Sequence, residues 1–476
     1  MSNAHDLQPI WSVNTSKSVN SEPIVVNGIV YVGSSDGNES AYYATNGTHL
    51  WSTFLGVDNA TPACGGPPPG ITSTATYFDG RVYVNGGYSM FYALNAATGK
   101  IVWKIPIGGT NAMGYYLWSS PLLYNDSAYI GIASQCDKPM VPAGLERVSL
   151  SSHAEIAYFN SSTPDPNGSS IWGSPAVNAK TNTVYVATGN PYTTHTSTYS
   201  ESIVALNATT LKVLAAWQVP ADQTVGDGDF GVTPTLFKLA DGVGVVTAMN
   251  KNGCLYEWYQ SNLTLRWEDS LTTQVGDRYS TSESNGKVFA VSRGPTLGGI
   301  TYNASVTAIN ATNGAYVWQF VTNTTPTLGY GTPLIVDHVV LVPIGNTLYA
   351  LQESSGRVLY AGSPGGVMVA PASFSRGEIF GGAGNDLVAY SVALGVTASQ
   401  SAKSGVAPLS DSFTSAGTAG VPPYAYSWNF GGGGVSTAQD PTHVFSRPGT
   451  PTVKLTVTDL TGATLTREFT VRVHRS

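Results

Sequence analysis

Hydrophobic and polar residues alternate in short runs along the chain, and residues 73–103 show the pattern most clearly. Alternation with a period of two is typical of β-strands that bury one face. Four such runs follow one another there, separated by Asp79-Gly80, Gly86-Gly87 and Ala97-Thr98-Gly99. An Asp-Gly pair between two alternating runs is a strong hairpin signal. The segment therefore predicts a four-stranded antiparallel sheet that ends at Trp103, whose large side chain can pack between neighbouring sheets.

The same unit recurs along most of the chain, and an internal repeat of this length indicates a fold built from similar sheets. Seven complete copies follow one another, at residues 23–51, 73–103, 119–159, 173–217, 232–267, 280–318 and 331–360. An eighth copy begins at residue 370 and reaches Tyr390 without a fourth strand.

The strand that the eighth copy lacks is predicted at the N-terminus. Residues 7–13 (LQPIWSV) contain Trp11, which has no three strands before it. If this segment completes the last sheet, the chain closes into a ring and leaves no exposed strand edge between first and last copies. We therefore predict an all-β protein in which residues 5–392 form an eight-bladed β-propeller, closed by the N-terminal strand. A seven-bladed ring stays open as an alternative, because the third and seventh copies lack the tryptophan.

A second β-domain is predicted after the repeats. Composition shifts to Ser, Ala and Gly after residue 392, so we assign residues 393–400 to a linker and 401–476 to a separate domain. Its characteristic segments are Trp428-Asn429-Phe430-Gly431, His443-Val444-Phe445, Pro448-Gly449 and the alternating residues 453–459 (VKLTVTD). These segments resemble a PKD domain, a small immunoglobulin-like β-sandwich. The resemblance implies a spacer or adhesion module without chemistry of its own.

Charge and hydropathy exclude some partners. The formal net charge is −7, and no run of Lys or Arg could follow a phosphate backbone, so nucleic acid is not an expected partner. No apolar run is long enough for a transmembrane segment. The chain is rich in Asn-X-Ser/Thr triplets, which are acceptors for N-glycosylation. They lie at Asn14, Asn38, Asn46, Asn59, Asn125, Asn160, Asn167, Asn207, Asn262, Asn303, Asn310 and Asn323. We expect an extracellular or cell-surface glycoprotein.

The three cysteines predict one disulfide bond. Cys254 lies within a strand and is expected to be a small buried residue. Cys64 follows a fourth strand and Cys136 follows a second strand, and in a propeller these two kinds of loop emerge on the same face. A Cys64–Cys136 disulfide is therefore our hypothesis for an oxidising compartment.

Candidate chemistry is concentrated in loops of the fourth and fifth copies. Propellers bind their ligands in the loops of one face. Counting strands places residues 171–175, 187–191, 226–231 and 250–253 on one face, and these segments carry Trp172, Asn190, Asp227, Asp229 and Lys251. Each segment also has a structural interpretation: Trp172 as a packing residue, Gly189-Asn190-Pro191 as a turn, Asp227-Gly228-Asp229 as a solvated loop or a cap on backbone amides, and Lys251 as part of a hairpin turn.

The repeats share the pattern A-x-N-A-x-T-G-x-x-x-W and resemble the quinoprotein propellers, the pyrroloquinoline quinone (PQQ)-dependent dehydrogenases, over residues 8–392. The resemblance implies that Trp172 stacks under the quinone and that Lys251 contacts its oxygens. It also implies Asn190 as a calcium ligand, Asp229 as a further metal ligand and Asp227 as the catalytic base. Calcium prefers hard oxygen ligands and polarises a carbonyl, and a carboxylate can accept a hydroxyl proton.

Two departures from that family favour a different function. Where the family has a vicinal cysteine pair, this chain has the single Cys64, and the loop expected to supply a glutamate ligand offers Asp137. Our first prediction is therefore a non-catalytic binding or scaffold module. Its loop face would bind a cell-surface protein or a glycan. The alternative is a PQQ- and calcium-dependent alcohol or sugar dehydrogenase. A hydrolase is disfavoured, since the sequence has no G-x-S-x-G or H-E-x-x-H motif.

Overall fold

The computed structural model describes residues 4–58, 69–192, 197–274, 276, 279–324, 331–363, 365–368 and 370–475. Within these ranges the all-β prediction is confirmed: there is no α-helix, and the helical turns are the 3-10 segments Ala4–Asp6 and Asn111–Met113. None of these described helices could span a membrane. The chain folds into two units, one of residues 12–373 and 380–388, and one of residues 2–11, 374–379 and 389–476.

The described residues contain eight antiparallel sheets of the repeat type, which we number 1 to 8 in chain order. Sheet 1 has strands Ile24–Val26, Ile29–Gly33, Asn38–Tyr43 and His49–Phe54. Sheet 2 has Thr76–Phe78, Arg81–Gly86, Met90–Asn95 and Ile101–Pro106. Sheet 3 has Leu122–Tyr124, Ser127–Ser134, Gly144–Ser149 and Ala154–Asn160, with Tyr115–Tyr116 paired to its second strand. Sheet 4 has Ala176–Asn178, Thr183–Ala187, Ser202–Asn207 and Val213–Gln218.

The later sheets repeat this order. Sheet 5 has Thr235–Lys238, Gly244–Met249, Cys254–Tyr259 and Leu265–Ser270. Sheet 6 has Ser282–Ser284, Lys287–Arg293, Ala304–Asn310 and Tyr316–Thr322, with a small hairpin of Thr296–Leu297 and Ile300–Thr301. Sheet 7 has Leu334–Val336, Val339–Ile344, Thr347–Gln352 and Val358–Gly362. Sheet 8 has Ser373–Ser375, Glu378–Ala383 and Asp386–Val392, and its fourth strand is the N-terminal Leu7–Asn14.

Burial follows strand position within each sheet. In sheet 2, strands Arg81–Gly86 and Met90–Asn95 are almost entirely buried, whereas Ile101–Pro106 alternates between exposed and half-buried residues. A strand that is covered on both faces reads as a continuous apolar run, and a half-covered strand alternates. The inner strands are therefore sandwiched between neighbouring sheets, and the fourth strand forms the outer edge.

Tryptophans of the repeat pack against turns of the following sheet. The Trp51 indole N–H donates to the Ala96 carbonyl at 2.9 Å, and that of Trp318 donates to the Glu353 carbonyl at 2.8 Å. Gly99 has a φ of +69°, and a Cβ there would overlap the Trp51 ring. The T-G turn of one copy therefore needs glycine both for its left-handed backbone and for contact with the previous tryptophan.

Apolar clusters and backbone bonds join consecutive sheets of the first unit. Separate clusters join sheets 1 and 2, 2 and 3, 3 and 4, and 6 and 7, and one larger cluster spans sheets 4, 5 and 6. The Met368 N–H donates to the Gly345 carbonyl at 3.1 Å, next to sheets 8 and 7. The Val19 N–H donates to the Gly384 carbonyl at 2.9 Å, which joins the entry to sheet 1 with sheet 8.

The C-terminal residues form two facing sheets. One has Val396–Gln400, Leu409–Gly417 and Thr442–Phe445, and the other has Val435–Ser436, Ala425–Asn429, Thr452–Thr458 and Thr464–Thr470. Strands Ser404–Val406 and Arg472–His474 pair in parallel. Their common core includes Phe413, Trp428 and Leu455, and the His443 ring stacks on Phe430 with centroids 4.2 Å apart. The linker predicted at 393–400 contains strand Val396–Gln400, because Val396 is buried in this core.

Candidate functional site

Trp172 lies just before sheet 4, and its position is fixed by its neighbour Ile171 and by the distant Gly231. Ile171 is fully buried, and its N–H donates to the Ile132 carbonyl at 3.1 Å. A Cβ on Gly231 would overlap the Trp172 indole, so the ring lies directly on that backbone. The indole is half-buried. Its position therefore depends on a glycine that the sequence places in the next loop.

The ammonium of Lys251 lies over this indole and pairs with two carboxylates. Its Nζ is 5.2 Å from the centroid of the Trp172 ring. The same Nζ donates to Asp227 Oδ1 at 2.7 Å and also to Asp229. The Lys251 side chain is 8% exposed and that of Asp229 5%, whereas that of Asp227 is 66% exposed. The site thus has a buried ion pair with one carboxylate that faces solvent.

Backbone groups orient Asp229. Its Oδ1 accepts a hydrogen bond from the Asn190 N–H at 2.6 Å, and its carbonyl accepts one from the Lys251 N–H at 3.0 Å. A Cβ on Gly189 would lie 2.5 Å from Asp229 Oδ1, so this approach requires glycine there. Asn190 therefore joins the cluster through its backbone, and a metal contact by its side chain stays a prediction.

For both Asp229 and Lys251, burial and the partner's opposite charge shift the pKa in opposite directions. Burial raises the pKa of Asp229 to about 6; Lys251 opposes that shift, and the charges of Asp227 and Asp137 add to it. Burial lowers the pKa of Lys251, but the nearby Asp229 and Asp227 carboxylates outweigh it, so that the pKa is raised overall. Lys251 is therefore a cation at neutral pH.

Three carboxylates converge at this point. One oxygen each of Asp137, Asp227 and Asp229 lies within 4.8 Å of the other two. The Ser134 hydroxyl donates a hydrogen bond to Asp137. Hard cations such as calcium prefer carboxylate oxygens. Together with Lys251 the cluster carries a formal charge of −2, which one divalent cation would balance. The sequence offered Asp137 only as the acidic residue of its loop, and the tertiary structure brings it to Asp227 and Asp229.

Sequence reasoning missed Glu201. This residue is 4% exposed, and a Cβ on Gly228 would overlap its carboxyl group. Its φ of +46° is left-handed, which is uncommon for a residue with a side chain. Burial, followed by the charges of Asp229 and Asp227, raises the pKa of Glu201 to about 7. No motif surrounds it, since it lies between the second and third strands of sheet 4.

A cavity of about 1010 Å³ borders Trp172 within the first unit. Its described lining also includes Trp118, Gln135, Cys136 and Gly231. Asp137, Asp227, Asp229 and Lys251 lie outside this lining. The indole of Trp172 therefore lies between a large cavity and the acidic cluster.

The remaining predicted positions are the cysteines and the asparagines of the glycosylation triplets. Cys136 takes part in a disulfide bond, while Cys64 lies outside the described residues, so their pairing stays a prediction. Cys254 is a free thiol whose pKa is raised by burial. Asn59 also lies outside the described residues, and none of the other eleven asparagines in Asn-X-Ser/Thr triplets is buried. Glycosylation stays a prediction.

Comparison with protein families gives two matches. Residues 2–112 and 59–130 match the family described as outer membrane protein assembly factor BamB. Residues 389–473 match the PKD domain. The second match begins before the predicted linker ends.

Sequence relatives include the quinohemoprotein alcohol dehydrogenase of Comamonas testosteroni, which is 24% identical over 40% of this chain and 30% of that protein. The chain is 26% identical to the polyvinylalcohol dehydrogenase of Sphingopyxis sp. (strain 113P3) in an alignment 287 residues long, which covers 52% of this chain and 37% of that protein. The chain therefore spans well under two thirds of that relative's length.

Solved structures show the same fold. The quinohemoprotein alcohol dehydrogenase ADHIIG from Pseudomonas putida HK5 has a TM-score of 0.69 and 16% identity, covering 82% of this chain and 77% of that one. BamB from Moraxella catarrhalis has a TM-score of 0.56 and 14% identity, covering 81% of this chain and 97% of that one.

The all-β fold, the repeats and these matches define the class. The chain carries PQQ-like repeats similar to those of quinoprotein dehydrogenases, and its residues 389–473 match a PKD domain.

Proposed function

We propose that this protein is a PQQ- and calcium-dependent dehydrogenase that oxidises an alcohol or a sugar. The observation that carries the proposal is the convergence of Trp172, Lys251 and three carboxylates on one point, beside a cavity large enough for a flat cofactor. The similarity to quinoprotein alcohol dehydrogenases supports it. The non-catalytic function, which the sequence departures favoured, becomes the second candidate.

The residues of the site are chemically suited to hold both calcium and PQQ. The oxygens of Asp137, Asp227 and Asp229 are a suitable donor set for calcium, with the Asn190 side chain as a further candidate ligand. Trp172 offers a flat surface, and the Lys251 cation suits an electron-rich quinone oxygen. When bound, PQQ would supply the two-electron acceptor that protein side chains lack.

The protein's own contribution would be proton transfer and electrostatics. Asp227 is the accessible carboxylate of the cluster, so it would accept the proton of the substrate hydroxyl. Asp229 is buried, and its carboxylate accepts hydrogen bonds from the Asn190 backbone N–H and from the Lys251 ammonium. It would therefore hold Lys251 in place. Lys251 would remain charged and would stabilise negative charge beside the indole.

Reconstitution tests this function. PQQ and calcium chloride would be added to the full chain, and reduction of an artificial electron acceptor would be measured with primary alcohols and aldoses. We expect turnover that Asp227→Asn reduces by at least about 100-fold. Asp241→Asn, at an exposed aspartate of sheet 5, is the matched control and should leave turnover unchanged. Failure to bind PQQ at micromolar concentrations would overturn the proposal.

The second candidate is a non-catalytic binding module on the same face. Its supporting observation is that Lys251 already neutralises part of the cluster, so the carboxylates have a counter-ion without metal. The fold similarity to BamB agrees with it. Its partner would be a cell-surface protein or a glycan, with the PKD domain as spacer or adhesion module. Partner capture that survives Asp227→Asn, in a protein without PQQ affinity, would support it.

We also propose that the eight sheets form one closed, eight-bladed propeller. Contacts between consecutive sheets, and the Val19–Gly384 bond between the entry to sheet 1 and sheet 8, support this closure. The site would then lie on one face of the ring. For a protein of this class, with its many glycosylation triplets and low charge, we propose an extracellular or cell-surface location.

A further inference from the structure

Residues 224–229 form the loop that carries two carboxylates of the acidic cluster, and we call it the aspartate loop. Gly228 lies between Asp227 and Asp229 in this loop, and both of those carboxylates contact the Lys251 ammonium. Among the described residues, the main chain of 224–228 makes one hydrogen bond of good geometry, at the Gly228 carbonyl. The position of the Gly228 peptide therefore sets where both carboxylates lie relative to the ammonium.

The donor to the Gly228 carbonyl is the side chain of Asn250. Its Nδ2 donates to the Gly228 oxygen at 2.6 Å, and its Oδ1 accepts a hydrogen bond from the Asn252 N–H at 2.8 Å. Asn250 is fully buried, and its own N–H donates to the Cys254 carbonyl at 3.0 Å. Because both ends of the amide and the backbone are bonded, this donor has little freedom to rotate. The turn that carries Lys251 therefore makes a fixed contact with the aspartate loop.

Glu201 packs against the same peptide. A Cβ on Gly228 would overlap the Glu201 carboxyl group, so the acid occupies the space where a side chain would be. This contact blocks movement of the loop toward Glu201. It does not hold the loop in place, because an ionised Glu201 would repel Asp227 and Asp229. The neutral amide of Asn250 binds the peptide without adding a further negative charge to the cluster.

We propose that Asn250 is the positioning residue of this site: its amide fixes the Gly228 peptide and so holds Asp227 beside Lys251. The Asp227 side chain is 66% exposed, so its own surroundings restrain it little. A base transfers a proton efficiently only when it is held in hydrogen-bond reach of the reacting hydroxyl, and small displacements lower the rate. The catalytic part of this inference rests on the proposed dehydrogenase function, whereas the effect of Asn250 on the ion pair does not.

Asn250→Ser separates this contact from the turn itself. A serine hydroxyl can still accept a hydrogen bond from an N–H two residues on, but it is too short to reach the Gly228 carbonyl. Asn178→Ser is the matched control. The Asn178 Oδ1 also accepts from an N–H two residues on, that of Lys180, at 3.1 Å, and its Nδ2 donates to Gln260 of sheet 5 at 2.7 Å, outside the acidic cluster.

Amine labelling of the full chain, without PQQ or calcium, gives the first measurement. Acetic anhydride labels a lysine faster when its ammonium is more exposed and less strongly paired, and mass spectrometry quantifies each site. Lys287, which pairs with Glu353 in the first unit, is the internal reference. We expect Asn250→Ser to raise the ratio of Lys251 to Lys287 labelling about fivefold, the effect of one net hydrogen bond on local opening. Asn178→Ser should keep the wild-type ratio.

Kinetics of the chain reconstituted with PQQ and calcium give the second measurement. We expect kcat with a primary alcohol to fall about tenfold in Asn250→Ser, because the base is displaced in the chemical step. KM should change less than about threefold, since substrate binding does not depend on proton transfer. Asn178→Ser should keep both wild-type values.

Three results would overturn this inference. One is a wild-type labelling ratio in Asn250→Ser. Another is an equal rise of the ratio in Asn178→Ser, or labelling of Lys287 that rises together with Lys251, since either would reflect general loosening of the fold. The third is a wild-type kcat in Asn250→Ser although its Lys251 labelling has risen. If PQQ does not bind, the dehydrogenase proposal fails, and the labelling ratio still decides whether Asn250 holds the cluster.

Discussion

Glu39 is a carboxylic acid in the interior of sheet 1. It is fully buried, and neither carboxyl oxygen has a hydrogen-bond partner among the described residues. Its register places it opposite Gly33 and Thr53, neither of which can neutralise it. Burial raises its pKa from the ordinary 4.5 to about 8. The folded protein therefore holds Glu39 in its neutral form at neutral pH.

This shift predicts how stability depends on pH. An acid whose pKa is higher in the folded state contributes its full stability below pH 4.5 and loses it as pH rises toward 8. The Glu39→Leu variant should therefore gain stability over wild type as pH rises, by up to about 1.4 kcal/mol per unit within that window. Urea denaturation at several pH values measures the gap. Glu155→Leu, at an exposed position, is the control, and a gap independent of pH would contradict the prediction.

Lys251 gives a second residue-scale prediction. Lys251→Met leaves the Asp229 carboxylate buried without its cation, so we expect a loss of about 3–5 kcal/mol in the free energy of unfolding. Adding Asp229→Asn to that variant should recover part of the loss, because the uncompensated charge is removed. Lys104→Met, at an exposed lysine, should change little. Equal losses for the two lysine variants would show that the ion pair is not needed for stability.

At the scale of elements, the repeated tryptophan has two environments. The Trp318 indole N–H donates a hydrogen bond to the Glu353 carbonyl. The Trp103 indole N–H is buried and has no hydrogen-bond partner among the described residues, and its ring stacks on His153 with centroids 4.5 Å apart. The same residue at the same repeat position therefore makes an extra bond in one sheet and none in another.

This difference predicts unequal costs for the same substitution. Trp318→Phe removes a hydrogen bond as well as ring area, while Trp103→Phe removes ring area and an unpaired donor. We expect Trp318→Phe to cost about 1 kcal/mol more than Trp103→Phe. Thermal and urea denaturation of the two variants measure it, each acting as control for the other. If Trp103→Phe proves the more costly, the indole bond contributes nothing.

At the scale of the whole molecule, the ring closure that we propose would depend on the residues that precede sheet 1. Val19 is fully buried, and a Cβ on Gly382 would overlap its side chain. Together with the bond from the Val19 N–H to Gly384, this contact joins residues separated by almost the whole repeat region. Contacts of such sequence separation form only when the fold is complete.

Weakening the contact of Val19 with Gly382 and Gly384 should lower the free energy of unfolding. We expect Val19→Ala to cost roughly 1–3 kcal/mol, from lost burial and the cavity that remains. Val317→Ala, at a valine that is 45% exposed, should cost less than about 0.5 kcal/mol. Denaturant unfolding with both a fluorescence and a circular dichroism probe compares them. Equal stabilities for the two variants would show that the Val19 contact with sheet 8 does not contribute to stability, and would count against the proposed closure.

The strands, the turns and part of the site could be predicted from the chain alone. The two-residue period and pairs such as Asp79-Gly80 act over a few neighbours, so they place the strands of every sheet near the predicted copies. The face assignment from strand counting brought Trp172, Asp227, Asp229 and Lys251 together, and the structure has them in contact or close to one another.

Only the tertiary structure decided the rest of the site. Asp137 comes from another sheet than Asp227 and Asp229, and Glu201 reaches Gly228 through a left-handed backbone that no local pattern signals. Local periodicity sets which residues lie on strands, because it reflects burial of one face or both. Which distant side chains meet, and therefore which charges are buried or paired, depends on how the sheets pack.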